Sequence, residues 1–357
     1  MFEWFEFESL TPVQASLIFA LILGVAFGVL AEITRFCLRR AVVGSDRKQA
    51  AGTWLMALAV AMAGTGWAMW AGLISFADHR FTTSELPILA LILGGAAFGV
   101  GMVLTRGCAS RLAILSGSGN LRAIFVLVLF AITAHATLKG VLSPIRTTLG
   151  QFTLSVGDYG TLAALPGGAL FWSALICLAA LAIALRSGNR PGQLALAALL
   201  GALVPLAWVG TGFVLFDDFD PISMESLSFT SPAAESLFYT IASTAISPGF
   251  GPGLLGGAIA GAALSALIFG RFQWQSFDSP RQTGRYTLGA LLMGLGGVLA
   301  GGCTLGAGLS GVPTLGLSAL IAIASIVIGA RLAGSLLNEI PAEFDVSRTT
   351  PAPQPAE

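Results

Sequence analysis

Three of the four cysteines in the chain lie in one repeated setting. In residues 26–37 a Phe-Gly-Val triplet precedes Thr-Arg-Phe-Cys, and in residues 94–118 the same triplet precedes Thr-Arg-Gly-Cys at identical spacing. A third stretch, residues 294–311, also has a glycine nine residues before its cysteine. Because Cys37, Cys108 and Cys303 all interrupt apolar, glycine-rich runs, we predict that they share a role. Cys177, in a smooth apolar run, is predicted to serve packing.

A thiol at a helix break has a definite chemistry. The half-helix that follows the break begins with free N–H groups and the positive end of its dipole, and both favour a bound anion. The thiol itself is a weak hydrogen-bond donor and a polarisable surface that suits a soft sulfur atom. The repeated setting therefore predicts that a small sulfur-containing anion passes between neutral thiols, with no redox step.

Arginines and small residues flank the three cysteines. The arginines add positive potential at one mouth of such a path, although arginines at helix ends also commonly extend to the membrane interface. The predicted substrate-path residues are Cys37, Cys108, Cys303, Arg35, Arg106, Arg111, Gly107, Gly302, Thr304, Pro248 and Gly249. We predict no catalytic residue, no metal ligand and no cofactor, since neither a C-x-x-C motif nor a paired metal-ligand spacing occurs.

The last two residues of that set belong to a separate interruption, residues 247–253. Two prolines and three glycines in seven residues do not continue an α-helix. We therefore predict two half-helices that meet inside the membrane, at Pro248 and Gly249. Broken segments in both halves of a chain are typical of a transport site near the membrane midplane.

Composition places these breaks in a membrane protein. Of 357 residues 55% are hydrophobic and only 10% are charged, with a mean hydropathy of +0.84, whereas a soluble domain has about 25% charged residues. Strand-like alternation is absent, so helices must satisfy the backbone in lipid. We predict an all-α integral membrane protein with about nine spanning helices and short broken or re-entrant half-helices. A net charge of zero and the lack of a basic tract argue against a nucleic-acid partner.

Charge asymmetry predicts the orientation. Basic residues follow the first helix, near residues 35–48, and recur near 186–190 and 271–285, which the positive-inside rule assigns to the cytoplasm. The acidic N-terminus and the acidic loop at residues 217–225 are then periplasmic. We interpret residues 1–357 as one transport domain with pseudo-symmetric halves, about 11–185 and 192–337, that form an inverted repeat. A Pro-rich polar tail follows at 338–357.

The sequence also contains ionisable residues outside the predicted substrate path. Glu32 is predicted to form an interfacial pair with Arg35 or Arg111, and His135 to pack within an apolar run. His79 is placed in an exposed loop. No acidic pair within an apolar run indicates a proton or sodium site, so energy coupling is left open.

The runs TRFCLRRA, TRGCASRLAILSGSGN and GGCTLGAGLSGVPTLG resemble the YeeE/YedE family of bacterial inner-membrane proteins, over residues 17–334. The resemblance implies an hourglass-shaped helical bundle that takes up thiosulfate, in which three cysteines hand the ion along by S–H hydrogen bonds. Position by position, those cysteines are Cys37, Cys108 and Cys303. The resemblance also implies a small cytoplasmic sulfur-carrier protein of the TusA type as a possible partner.

Two further readings remain open at this point. Some relatives are assigned to selenium metabolism, which makes a selenium-compound transporter an alternative. A different class is a membrane-bound thiol enzyme, a sulfurtransferase with one exposed nucleophilic cysteine, for which Cys108 beside Arg106 and Arg111 is the candidate. A transporter needs at least two cysteines on one transmembrane path, whereas such an enzyme needs one that is exposed. We favour the transporter.

Overall fold

The chain folds almost entirely into helices in a computed structural model that describes residues 11–77, 79–217 and 219–337. The α-helices of the described residues are α1 (Pro12–Thr34), α2 (Leu38–Val43), α3 (Arg47–Trp70), α4 (Ile88–Leu104), α5 (Ala109–Gly117), α6 (Leu121–Lys139), α7 (Ser143–Gly150), α8 (Gly168–Leu185), α9 (Pro191–Val209), α10 (Thr230–Ile241), α11 (Phe250–Ile268), α12 (Pro280–Leu299) and α13 (Leu317–Leu336). Two π-helical segments, Gly210–Val214 and Thr304–Gly311, follow α9 and Cys303. Strands β1 (Glu85–Leu86) and β2 (Leu154–Ser155) form a short antiparallel pair.

Nine helical segments within the described residues are long and apolar enough to cross a membrane. This confirms the predicted polytopic helical membrane fold. The acidic N-terminal residues 1–10, the polar tail 338–357, Asp78 and Asp218 lie outside the described residues.

Glycines allow two helix pairs to pack backbone to backbone. A Cβ on Gly28 of α1 would overlap the Ala258 carbonyl of α11, and one on Gly99 of α4 would overlap the Ile326 carbonyl of α13. Small residues are the usual means of close helix association in lipid, where apolar surface alone gives little driving force. Because Gly28 and Gly99 are equivalent in the repeat that precedes Cys37 and Cys108, the repeated sequence positions have the same packing role.

The interruption at residues 247–253 differs from the prediction. Helix α10 ends at Ile241, and α11 then runs without a break for 19 residues from Phe250. Pro252 lies in the first turn of α11, where proline is tolerated because the N–H it lacks would have no helical partner. The prediction of two half-helices that meet at Pro248 and Gly249 is therefore wrong. The segment is a loop between a short helix and a full-length one.

Candidate functional site

Each of the three repeated cysteines occupies the N-cap position of a short helical segment. Cys37 precedes α2, Cys108 precedes α5, and Cys303 precedes the π-helical segment Thr304–Gly311. None of the three makes a side-chain capping hydrogen bond. The predicted helix breaks are confirmed, and the first N–H groups of each segment lie next to a thiol that is not engaged in capping.

The chain reaches each cysteine through the same backbone turn. Two residues before the thiol, the backbone adopts the left-handed conformation, at Arg35 (φ 52°), Arg106 (φ 59°) and Gly301 (φ 72°). The turn closes the preceding helix, as shown by the Phe36 N–H donating to the Ala31 carbonyl and the Gly107 N–H donating to Met102. Glycine adopts this conformation freely, whereas a residue with a Cβ does so at a cost of about 1–2 kcal/mol. At the first two turns the chain therefore retains arginine despite a conformational cost.

The three caps meet in the interior of the bundle. The Cys108 thiol interacts with the Cys37 thiol and with the Thr304 hydroxyl, which is adjacent to Cys303 in sequence, and it lies 3.3 Å from Ser110 Oγ. The exposed fraction of the residue is 5% for Cys37, 2% for Cys108 and 0% for Cys303. All four cysteines are free thiols. The structure thus brings the predicted cysteines together as a buried partition.

A cavity of about 260 Å³, the basic vestibule, opens on one side of this partition. Its charged lining residues are Arg35, Arg39, Arg40, Arg106, Arg111, Arg122, Arg271, Glu32 and Asp46. Seven arginines against two carboxylates give this cavity a large excess of positive charge. Cys37 also lines it, so one of the three thiols faces the basic vestibule directly.

Ion pairs hold part of the basic lining in place. Glu32 of α1 accepts hydrogen bonds from Arg271 (3.1 Å) and Ser265 (2.9 Å), which ties α1 to the end of α11. Arg40 pairs with Asp46. The predicted pairing of Glu32 with Arg35 or Arg111 is wrong, because the close packing of α1 on α11 places Arg271 beside the carboxylate instead.

The structure separates the remaining predicted residues into two groups. Arg35, Arg106 and Arg111 line the basic vestibule, and Arg111 lies near both Cys37 and Cys108. Gly107, Gly302 and Thr304 are buried next to the cysteines. Pro248 and Gly249 line neither vestibule. They are half-buried, and a Cβ on Gly249 would approach Val13 at the start of α1.

A larger cavity of about 1200 Å³, the glutamate vestibule, opens on the other side of the partition. Gly306 and Ser310, from the π-helical segment that Cys303 caps, line its floor. Its other polar and charged lining residues are Ser75, His79, Arg80, Ser223, Glu225, Ser226, Ser228, Ser231 and Glu235. Arg80 is close enough to Cys303 for the two groups to interact electrostatically. The positively charged Arg80 therefore lies near Cys303, on the side of the glutamate vestibule.

Two carboxylates with unusual titration share this vestibule. Burial and the neighbouring Glu235 raise the pKa of the Glu225 carboxyl to about 7, against the opposing influence of Arg80. Burial likewise raises the pKa of Glu235, while Lys139 and Arg80 act in the opposite direction. At neutral pH Glu225 therefore retains part of the proton that an isolated glutamate would have released.

Sequence reasoning missed Arg80, Glu235 and Ser228, and it treated Glu225 only as part of an acidic loop. The available signal was an arginine in a loop that the positive-inside pattern assigns to the opposite face. The second signal was the serine-rich stretch around Glu225, SMESLSFTS. Hydropathy could not reveal the carboxylate pair, because Glu225 lies in a loop and Glu235 on the short helix α10, outside every spanning helix.

The histidines and Cys177 have clear surroundings. His79 is half-buried in an aromatic cluster, with ring centroids 5.6 Å from Phe76 and 5.2 Å from Trp208, so its placement in an exposed loop is wrong. Burial lowers the pKa of His79 to about 4.

The other histidine, His135, stacks on Phe238, with ring centroids 4.9 Å apart. The Cys177 thiol donates to the Ala59 carbonyl at 3.3 Å and lines neither vestibule. Within the described residues, no group of three or more His, Cys, Asp or Glu is arranged to hold a metal ion.

Comparison with known proteins agrees with this architecture. Residues 33–332 match the sulphur-transport family. A thiosulfate transporter, TsuA, from Spirochaeta thermophila is 29% identical over 342 residues, which cover 87% of this chain and 95% of the relative. The Escherichia coli K12 protein named thiosulfate transporter TsuA is 27% identical over 320 residues, covering 81% of this chain and 85% of the relative. The chain therefore belongs to the YeeE/YedE sulphur-transport family and is a multi-pass membrane transporter of sulfur compounds rather than an enzyme.

Proposed function

We propose that this protein takes up thiosulfate across the bacterial inner membrane, along a path that runs from the glutamate vestibule through Cys303, Cys108 and Cys37 to the basic vestibule. The observation that carries the proposal is the meeting of three cysteine N-caps between two cavities. The relatives named as thiosulfate transporters support the choice of ion.

The path requires only hydrogen-bond exchange. A neutral thiol donates its S–H proton to an oxygen or the terminal sulfur of thiosulfate, and the N–H groups at the start of the next helical segment stabilise the negative charge. A thiolate would repel the ion. No covalent bond to the substrate forms. Each thiol keeps its proton throughout, and its hydrogen bond to the ion breaks when the ion moves to the next thiol.

Burial of the thiols favours transport over the sulfurtransferase alternative. A nucleophilic cysteine that exchanges sulfur with a soluble partner must be reachable from solvent, yet the candidate Cys108 is 2% exposed and lines neither vestibule. Substrate transfer between adjacent buried thiols needs no such access. The selenium alternative is chemically similar, because selenium is also a soft, polarisable atom, and it becomes a second substrate in the experiment.

Charge supports the proposed direction. The positive-inside rule places the basic vestibule on the cytoplasmic side and the N-terminus in the periplasm. A membrane potential that is negative inside opposes entry of a dianion by about 4.6 kcal/mol per 100 mV, twice the cost of about 2.3 kcal/mol for one charge. The arginines of the basic vestibule offset part of this cost at the point where the ion arrives.

We extend the proposal to the whole chain and its surroundings. Residues 1–357 act as one transport domain, with halves at about 11–185 and 192–337 related as an inverted repeat. The excess positive charge of the basic vestibule suits an acidic carrier, and a TusA-like sulfur-carrier protein is the proposed cytoplasmic acceptor. Its binding would be detected as a thiosulfate-dependent interaction with the purified transporter.

The test is uptake of labelled thiosulfate by cells that lack their other sulfate and thiosulfate importers. Wild-type protein should restore uptake, and Cys303→Ala should abolish it, because the alanine can neither donate a hydrogen bond nor contact the ion's sulfur. Selenite and selenosulfate, added as unlabelled competitors, measure selectivity.

Cys177→Ala is the matched control, because it makes the same chemical change in a thiol outside the partition. It should retain uptake near the wild-type level, with equal amounts of each variant in the membrane. If the Cys303→Ala variant took up thiosulfate as well as the wild type does, the path along the thiols would be ruled out. Absence of thiosulfate uptake by the wild type would overturn the assignment of thiosulfate as the substrate.

A further inference from the structure

The glutamate vestibule presents an electrostatic problem for an anion. Glu225 and Glu235 line the cavity through which, on the proposed function, a dianion must reach Cys303. Two ionised carboxylates at this entrance would repel the ion, and a dry protein wall strengthens that repulsion. The carboxylates must therefore be neutralised when the anion binds.

Arg80 supplies a cation that is available in the same cavity. Its guanidinium lies 5.1 Å from the centroid of the Phe81 ring, and no carboxylate among the described residues forms an ion pair with it. Arg80 is exposed to the vestibule and interacts electrostatically with Glu225, Glu235 and Cys303. It is therefore near both the carboxylates and the thiol, and its guanidinium donors suit an oxyanion.

Ser228 provides an independent sign that a ligand binds here. Ser228 is 9% exposed, it lines the vestibule, and its buried hydroxyl has no hydrogen-bond partner among the described residues. The hydroxyl lies beside Gly306, where a Cβ would stand 2.7 Å from Ser228 Oγ. A buried hydroxyl without a partner is costly, and a bound oxyanion would accept its hydrogen bond.

Contacts with neighbouring segments position Glu225 and Glu235. The backbone of Glu225 is held by Thr211, whose hydroxyl accepts from the Glu225 N–H (3.0 Å) and donates to the Glu225 carbonyl (2.8 Å). The Glu235 carboxylate packs against Gly251 in the first turn of α11, where a Cβ would overlap it. These contacts keep both residues at the vestibule, whose lining they share.

The other charged or titratable groups around the pair do not replace it as the proton acceptor. Those that line the vestibule or interact with its charged groups are His79, Arg80, Lys139 and Cys303. His135 of α6 stacks on Phe238 of α10, the helix that carries Glu235. The low pKa of His79 keeps it neutral from pH 6 to pH 8, and His135 does not line the vestibule. Among the groups that line the vestibule, the carboxylates remain as those that change charge near neutrality.

We propose that Arg80, Ser228, Glu225 and Glu235 form a proton-linked subsite for a divalent sulfur oxyanion at the floor of the glutamate vestibule. This inference rests on the proposed function. A proton from solvent binds one carboxylate of the pair as the anion binds Arg80 and Ser228, so the site gains one proton for each dianion. No bond of the substrate forms or breaks, and the proton returns to solvent when the anion leaves the subsite.

The experiment is equilibrium binding of labelled thiosulfate to the purified full chain in lipid nanodiscs, from pH 6 to pH 8. Thiosulfate remains a dianion throughout this range, so the protein alone titrates. Because binding requires the protonated pair, affinity is highest below pH 7 and falls as the pH rises. For one linked proton we expect about tenfold weaker binding at pH 8 than at pH 6.

Variants identify the groups responsible. The double variant Glu225→Gln with Glu235→Gln mimics the protonated pair, so it should bind equally at both pH values, with the affinity that the wild type has at pH 6. Arg80→Gln should bind at least about tenfold more weakly at pH 6, because it loses a charged hydrogen bond. Asp220→Asn, an exposed acid outside both vestibules, makes the same charge change and should retain the wild-type pH profile.

Two results would overturn the inference while leaving the proposed function intact. One is wild-type binding that is equal at pH 6 and pH 8, which needs no variant to be folded. The other is a double glutamine variant that retains the wild-type pH dependence. If the wild type binds no thiosulfate at either pH, the proposed function fails together with this subsite.

Discussion

The two vestibules differ in size and charge although one anion is proposed to pass through both. The basic vestibule is a cavity of about 260 Å³ with seven arginines and two carboxylates, whereas the glutamate vestibule measures about 1200 Å³ with one arginine and two carboxylates among its described lining residues. Positive potential therefore rises along the proposed path from the wide cavity to the narrow one. On the proposed path, electrostatic attraction for an anion is therefore strongest at the exit into the cytoplasm, while the entrance carries groups whose charge depends on pH.

The partition between the vestibules uses one local structure three times. A left-handed residue, a spacer and an N-cap cysteine recur at Cys37, Cys108 and Cys303. On the basic side the left-handed residue is Arg35 or Arg106, and only the third turn has glycine. The arginines add charge to the basic vestibule at the expense of backbone strain, which is consistent with a functional use of that charge.

The largest effect within this comparison is expected at Arg111. Arg111→Gln removes the arginine that lies near both Cys37 and Cys108, and loss of a charged hydrogen bond should weaken the apparent affinity for thiosulfate by about 10- to 100-fold. Concentration-dependent uptake measures this affinity. Arg190→Gln, an exposed arginine that lines neither vestibule, should leave it near the wild-type value. Equal losses in both variants would show that total charge, and not the basic vestibule, attracts the ion.

A smaller effect should separate charge from backbone strain at Arg106. Arg106→Gly and Arg106→Ala remove the same side chain, but glycine accepts φ 59° without strain, so the glycine variant should be more stable by about 1 kcal/mol. Thermal unfolding in detergent compares the two.

The order of stability should reverse at Arg331, in the interior of α13, where glycine is about 1 kcal/mol less favourable than alanine. If glycine were the less stable substitution at both positions, the turn before Cys108 would not be left-handed in the protein.

The smallest effect is expected at His79. Because burial keeps its pKa at about 4, His79 is neutral over the whole range in which the carboxylate pair titrates. His79→Gln should therefore leave the pH midpoint of thiosulfate binding unchanged. Since the aromatic cluster around His79 contributes to packing, binding at each pH is normalised to the folded fraction. A shifted midpoint would assign the pH dependence of the glutamate vestibule to the histidine and not to Glu225 and Glu235.

The sequence by itself determined the class of fold and the helix breaks at which the three cysteines lie. Nine long apolar runs suffice to predict nine spanning helices. Hydropathy and length are local properties of the sequence, and the thickness of the bilayer sets the length that a spanning helix needs. The breaks before Cys37, Cys108 and Cys303 were also predictable, since short-range glycine, arginine and cysteine spacing sets a helix end and the next N-cap. The interruption near Pro248 was misjudged as a meeting of two half-helices because Pro252, in the first turn of α11, leaves the same sequence signal as a proline inside a helix.

Only the tertiary structure decided which charged groups share a cavity. Glu32 pairs with Arg271 because α1 packs closely on α11, and Arg80, Glu225 and Glu235 meet because three separate segments surround one vestibule. The pKa of Glu225 likewise depends on the burial and the neighbour that this arrangement imposes. Such contacts join residues far apart in the chain, so neither periodicity nor spacing encodes them, and they follow from helix packing alone.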